Sequence, residues 1–224
     1  MIPSSPLPQA APLPPAPDVS ALAAGRMHEA AGPGRRVFAL ALAGQLAEAD
    51  PGPASCTVLW IVDARRSEGF CPAGLAALID PARLVLARPT GLIAALQVAE
   101  EALRSGAVPF VVADLEEAPD LTQSRRLQLA AGTGGGRGLC LVPEGRLRSN
   151  AAETRWHCAP IPQPRQAEAG QRAQHGAPQH WELVKNKRGP LGAWDVAVGR
   201  LRPPDAPLPA RPRMDSRARQ QASA

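Results

Sequence analysis

Apolar residues fall in short blocks divided by turn signals, and the blocks alternate between a helical period and a continuous or two-residue one. Arg26–Ala30 is a short extended piece running into Gly32-Pro33-Gly34, after which Val37, Leu40, Ala41 and Leu46 recur at helical spacing. Asp50-Pro51-Gly52-Pro53 is a breaker. Thr57–Val62 is continuously apolar, as a strand covered on both faces should be, and it ends at Asp63. Pro72–Ile79 reads as a turn or two of helix and Leu84–Ala87 as a short strand. Over Thr90–Ser105, Leu92, Ala95, Leu96, Ala99 and Leu103 share one helical face, and Gly106 sits at its C-terminal end. Val108–Ala113 is a further strand, with Pro109 tolerable near its start, and it leads into Asp114. Thr122–Ala131 reads as a helix capped by Asp120 or Thr122, Gly134-Gly135-Gly136 breaks it, and Gly138–Val142 is again a strand.

Strand alternating with helix implies an α/β fold, a parallel sheet with helices on both faces. Beyond Val142 the pattern changes. Glu153–Ile161, His180–Asn186 and Ala193–Val198 read as strands with no helix between them, expected to form an antiparallel extension at one sheet edge. The domain is expected over residues 19–198, opened by a short helix at Val19–Ala24, with the Gln/Pro-rich stretch 163–179 as a flexible loop. Residues 1–18, with seven prolines, have too little to bury and are expected to be disordered, as is the tail 199–224.

Composition sharpens this in three places. The formal charge is +5, but six Arg against two Asp in residues 199–224 supply four of those charges, so the folded part is near neutral. Aromatics are 3% with no Tyr, which excludes an extended base-stacking platform. Cys56, Cys71, Cys140 and Cys158 form no C-x-x-C pair, and buried thiols in a reducing cytoplasm are the expectation over disulfides or zinc. The start shows no signal peptide and no apolar run approaches a membrane span of ~20 residues, so the reading is cytoplasmic with no membrane contact.

Candidate chemistry starts at Gly25–Leu46. Strand, glycine loop and helix N-terminus together are how a P-loop presents backbone N–H groups to phosphate. Where Gly-Lys-Ser/Thr would stand, the chain has Gly34-Arg35-Arg36-Val37. Asp114 occupies the place of the Walker B carboxylate; Gly32, Gly34, Arg35, Arg36 and Asp114 therefore make a degenerate nucleotide site. Both lysines of the chain lie in Lys185-Asn186-Lys187-Arg188-Gly189-Pro190, a basic turn suited to phosphates or to an acidic patch on a partner. Arg125 and Arg126 stand at a helix start, where cations are disfavoured, and Arg146 and Arg148 follow the Gly138–Val142 strand. These four are candidates for DNA or partner contact. No catalytic triad, paired-carboxylate site or metal set stands out.

These pieces resemble one family. The run Thr90–Ala118, with its turn Ala102-Leu103-Arg104-Ser105-Gly106-Ala107-Val108, resembles the RecA core, and Leu183–Val198 resembles the Lys-Asn-Arg/Lys-x-Gly-Pro-x-Gly hairpin of RecA-type ATPases. The stretches HEAAG (28–32), LTQSRRLQLAA (121–131), Glu153-Thr154-Arg155-Trp156 and KNKRGPLGAW (185–194) are similar to ImuA proteins, over about residues 20–198. That resemblance implies a RecA-like P-loop core and an accessory role in SOS mutagenesis, where translesion DNA synthesis is error-prone. The implied partners are an ImuB-like Y-family polymerase homologue, RecA and an error-prone replicative polymerase. It also implies that Lys185, Asn186, Lys187 and Arg188 contact an adjoining protomer or partner.

The departures bear on catalysis. Besides the Walker A replacements, Arg65 follows Asp63-Ala64 where the family has its water-activating glutamate, and Pro143-Glu144 stand where a sensor glutamine is found. Phosphoryl transfer needs phosphate positioning, metal and water orientation together. The expectation is a protein without enzymatic activity and without a required cofactor, ATP binding being the residual alternative. The alternatives in function are a SulA-like inhibitor of cell division and a weak DNA-dependent ATPase.

Overall fold

The computed structural model describes residues 17, 19–49, 58–66, 69–145, 148–162 and 177–198. The expected disorder at 1–18 and 199–224 and all but the last residues of the 163–179 loop lie outside these, as do Cys56 and Arg146. A single 3-10 turn, Val19–Ala21, stands where a short helix is expected. Strand β1 (Arg26–Ala31) follows, then helix α1 (Arg35–Ala49), β2 (Val58–Val62), the short α2 (Pro72–Ala76) and β3 (Leu84–Ala87). Next come α3 (Leu92–Ser105), β4 (Phe110–Asp114), α4 (Leu121–Gly134) and β5 (Arg137–Leu141). Three strands close the domain: β6 (Thr154–Pro160), β7 (Ala177–Asn186) and β8 (Gly192–Val198). All eight form one sheet in the order β3-β2-β4-β5-β1-β6-β7-β8.

Local chemistry fixes the helix ends. Asp120 rather than Thr122 caps α4: its side chain accepts from Gln123 N at 2.8 Å and Gln123 returns a bond to Asp120 N, a reciprocal capping box. Gly106 and Gly135 end α3 and α4 in the left-handed conformation.

Both faces of the central parallel strands β1, β2, β4 and β5 are covered, which is why their sequences lack alternation. In β2, Trp60 packs toward α1 and α2 while Ile61 packs toward α3 and α4; Val112 and Val111 divide in the same way in β4. On the first face Phe38 of α1 meets Trp156 of β6 at 5.2 Å and Trp181 of β7 edge-on at 4.9 Å, so α1 is pinned to the far strands by aromatic contact.

The last three strands pair antiparallel with one another, β6 with β7 and β7 with β8, as expected. They join the sheet through β6, which lies parallel to β1, with Glu29 opposite Arg155 and Ala31 opposite His157. The connection from β5 travels back to the start of β6 without a helix of its own, so the βαβ signal is missing from the sequence although the pairing is parallel. β7 also begins at Ala177, within the stretch read as loop. On these strands one face carries Trp156, Cys158, Trp181, Leu183 and Val196 into the core, and the other carries Arg155, His157, Glu182 and Asp195 outward.

Candidate functional site

Five of the expected residues meet at the C-terminal edge of the parallel strands. Gly32, with φ +90°, turns the chain out of β1, and Gly34 leads into α1. Neither glycine faces an open cradle. A Cβ on Gly32 would stand 2.4 Å from the Cys158 carbonyl oxygen, and one on Gly34 would stand 2.5 Å from Gln179 Oε1. Gly34 N–H donates to Cys158 O at 2.8 Å, and Arg35 N–H donates to Gly32 O at 3.3 Å. Two backbone donors of this loop, Gly34 N–H and Arg35 N–H, are thus engaged by β6 and by the loop itself.

The two arginines also turn inward. Arg35 Nη1 donates to Gly32 O at 3.0 Å. Arg36, in the first turn of α1, donates from Nε to Asp114 Oδ2 at 2.6 Å, and Arg66 donates from Nη1 to Oδ1 at 3.1 Å. Asp114 is buried, so its charge is met by two guanidinium groups in a site of low polarity. Next to it Asp63 takes Arg65 as a fork, Nε to Oδ1 at 3.0 Å and Nη2 to Oδ2 at 2.8 Å, and accepts the Gly91 N–H at 2.8 Å. Those bonds, from Arg65 above all, hold the Asp63 carboxyl well below the usual carboxylate range. Arg65 and Arg66 therefore split the strand-end acids between them. The part of Arg66 was missed in the sequence, where two successive arginines after a strand-ending acid were its only signal. Beside this cluster lies a largely apolar cavity of about 310 Å³ between α1 and α2, lined by Val37, Leu40, Trp60, Phe70 and Leu86 with Arg36 and Arg88 among its polar groups.

The basic hairpin lies elsewhere. Asn186 pairs with Thr154, the first residue of β6, so the turn 187–191 sits at the opposite end of the sheet from the glycine loop. There it holds the β5–β6 crossover. Lys185 Nζ donates to Asn150 O at 3.2 Å, Lys187 Nζ donates to Ala151 O at 2.7 Å, and Arg188 pairs with Glu153 at 2.8 Å. Asn186 shapes the turn itself, accepting from Arg188 N and donating to Pro190 O. Burial, together with the neighbouring Lys187 and Arg155, draws the Lys185 pKa below that of a free lysine.

Three further sequence stretches converge on the same crossover. From β1, Glu29 is buried, accepts from the Asn150 amide and forms an ion pair with Arg155 at 3.0 Å. From α4, Ser124 Oγ accepts the Ala151 N–H at 2.9 Å, and Gln128 accepts from Met27 N while donating to Gly25 O. From β6, Trp156 Nε1 donates to Thr154 Oγ1 at 3.0 Å, Thr154 donates to His28 Nδ1 at 2.7 Å, and His28 Nε2 donates to Ala23 O at 3.1 Å. The stretches 28–32, 121–131, 153–156 and 185–194 are far apart in the chain and form one network in the fold. Glu29, Ser124, Asn150 and Arg155 were missed as site residues because nothing in their spacing announces the crossover that joins them.

The remaining candidates divide. Arg126 pairs with Glu100 of α3 at 2.7 Å, so its place at a helix start is explained by a neighbouring helix. Arg125 and Arg148 are exposed. Cys140 and Cys158 are buried and their thiols are pushed up by burial, while Cys71 is exposed. His180 pairs with Asp195 at 2.6 Å on the outer sheet face.

No protein-family model matches the chain. An alignment 150 positions long, covering 61% of the chain, is 37% identical to Protein ImuA of Caulobacter vibrioides strain NA1000 / CB15N, and the same figures hold for Protein ImuA of a second strain, CB 15. Over that segment the chain is similar to ImuA proteins. The match spans 58% of the length of those ImuA relatives. Among the described residues, no helix is long and apolar enough to cross a membrane.

Proposed function

We propose that the chain is a non-catalytic, RecA-like accessory protein of SOS-induced error-prone translesion synthesis, acting in the cytoplasm as an adaptor. Its partners in this reading are an ImuB-like polymerase homologue, RecA and the error-prone replicative polymerase. The similarity to ImuA proteins supports the pathway, and the observation that carries the adaptor reading is the arginine clamp on Asp114. In a working P-loop the Walker A Ser/Thr and the Walker B acid both serve a magnesium ion. Here Arg36 stands in the Ser/Thr place and its guanidinium lies on Asp114. A fixed organic cation thereby neutralises the acid that would otherwise need a metal.

On this reading the hairpin meets a partner through the exposed sides of Lys187 and Arg188, while its inward bonds shape the crossover behind it. Deleting the gene should lower damage-induced mutation to the level of a strain lacking the polymerase homologue. Undiminished mutation in the deletion strain would sink the pathway. Phosphate release with single-stranded DNA present should stay at background, and turnover that disappears in Asp114→Asn would make the protein an ATPase instead. Lys187→Glu should weaken capture of the polymerase homologue without changing the folded circular dichroism spectrum.

A further inference from the structure

Helix α4 has three sides, and two of them are accounted for by the fold. Ser124 and Gln128 face the crossover and β1, and Leu127, Ala130 and Ala131 enter the core. Arg126 reaches to Glu100 of α3. The third side carries Leu121, Arg125 and Leu129, at successive four-residue steps and therefore in line along about 12 Å of helix. Leu129 is 72% exposed and Leu121 45% exposed, and Arg125 makes no ion pair among the described residues. On the α3-facing side of α4, Ile93 of α3, 61% exposed, opens a hollow of about 90 Å³ shared with Gln123 and Arg126.

We propose that this stripe is the docking surface for an acidic amphipathic helix of the partner protein, a refinement that rests on the adaptor reading above. The charge pattern selects that occupant. Arg125 stands between two exposed leucines, and Asp120, at the start of the helix, spends its carboxylate on the helix cap. A partner helix with Leu-type side chains flanking Asp or Glu matches apolar to apolar and acid to arginine. A nucleic acid strand fits less well, because the two leucines offer nothing to phosphate and none of these residues is aromatic.

The test uses the full chain and a purified ImuB-like polymerase homologue from the same organism, by titration calorimetry or biosensor. Leu129→Asp and Arg125→Glu should each weaken binding about tenfold or more, with the urea midpoint of unfolding unchanged, since both side chains are exposed. Reversing an acid to Lys in the partner helix should restore affinity to Arg125→Glu but not to Leu129→Asp. Wild-type affinity in both variants overturns the docking surface and leaves the adaptor reading intact. No binding by the wild-type chain overturns the adaptor reading and this surface with it. Binding of a fluorescent oligonucleotide that is lost in Arg125→Glu and unaffected by Leu129→Asp makes the stripe a phosphate contact and also overturns the proposal.

Discussion

At the residue scale, two buried polar groups carry measurable consequences. His28 lies in a relay from Trp156 through Thr154 to the Ala23 carbonyl, and every bond of that relay is met by the neutral ring. Burial lowers its pKa from 6.5 to about 4. Between those values the unfolded chain binds a proton that the folded protein excludes, so stability falls as pH drops from 6.5 toward 4. The loss has an upper bound of about 3 kcal/mol. His28→Gln cannot titrate, so its unfolding free energy should be nearly flat over that window when followed by urea titration. Asp114 gives a prediction of order. Asp114→Ala removes the buried acid that Arg36 and Arg66 share and should cost about 3 kcal/mol. Arg36→Ala leaves Asp114 with Arg66 and should cost about 1 kcal/mol. Equal losses in urea unfolding would show that the two arginines are not sharing one acid.

At the element scale, the glycine loop is a packing device. Gly32 combines a positive φ with a Cβ position 2.4 Å from a backbone oxygen of β6, and a backbone atom cannot step aside as a side chain does. Gly32→Ala should therefore destabilise the fold by about 2 kcal/mol or more. Gly34→Ala meets the end of the Gln179 side chain at 2.5 Å and Ala159 N at 3.1 Å, so only part of its clash can be relieved by rotation. The thermal midpoints should rank wild type, Gly34→Ala, Gly32→Ala, from highest to lowest. Helix α1 depends on the same strands through Phe38. Its truncation to Ala removes the ring wedged against Trp156 and Trp181 and should cost about 3–5 kcal/mol, read as a shift in denaturation midpoint.

At the scale of the whole molecule, the sheet separates two sites of opposite character. One end has a closed glycine loop and acids neutralised by arginines; the other has a crossover gripped from β1, α4, β6 and the β7–β8 hairpin. A nucleotide bound to the folded state at 100 times its Kd would add about 2.7 kcal/mol of stability. With the loop donors and Asp114 already engaged, millimolar Mg-ATP should leave the thermal midpoint unmoved in a shift assay. A clear upward shift would reopen the nucleotide site.

The order of strands and helices through Leu141 was legible in the sequence because hydrophobic period, glycine breaks and strand-ending acids are local signals. So was the absence of lysine, serine and threonine from Gly34–Val37, a matter of residue identity. Only the tertiary structure decided that β6 lies parallel to β1, because direction is set by where the long crossover lands and no helix marks its path. It also decided that Arg36 and Arg66 share Asp114, 78 and 48 residues away in the chain, and that four separated motifs close around residues 150–154. Spacing along a chain reports neighbours on one helix or strand. Which charge meets which across the sheet depends on strand order and register, and these are fixed only when the core packs.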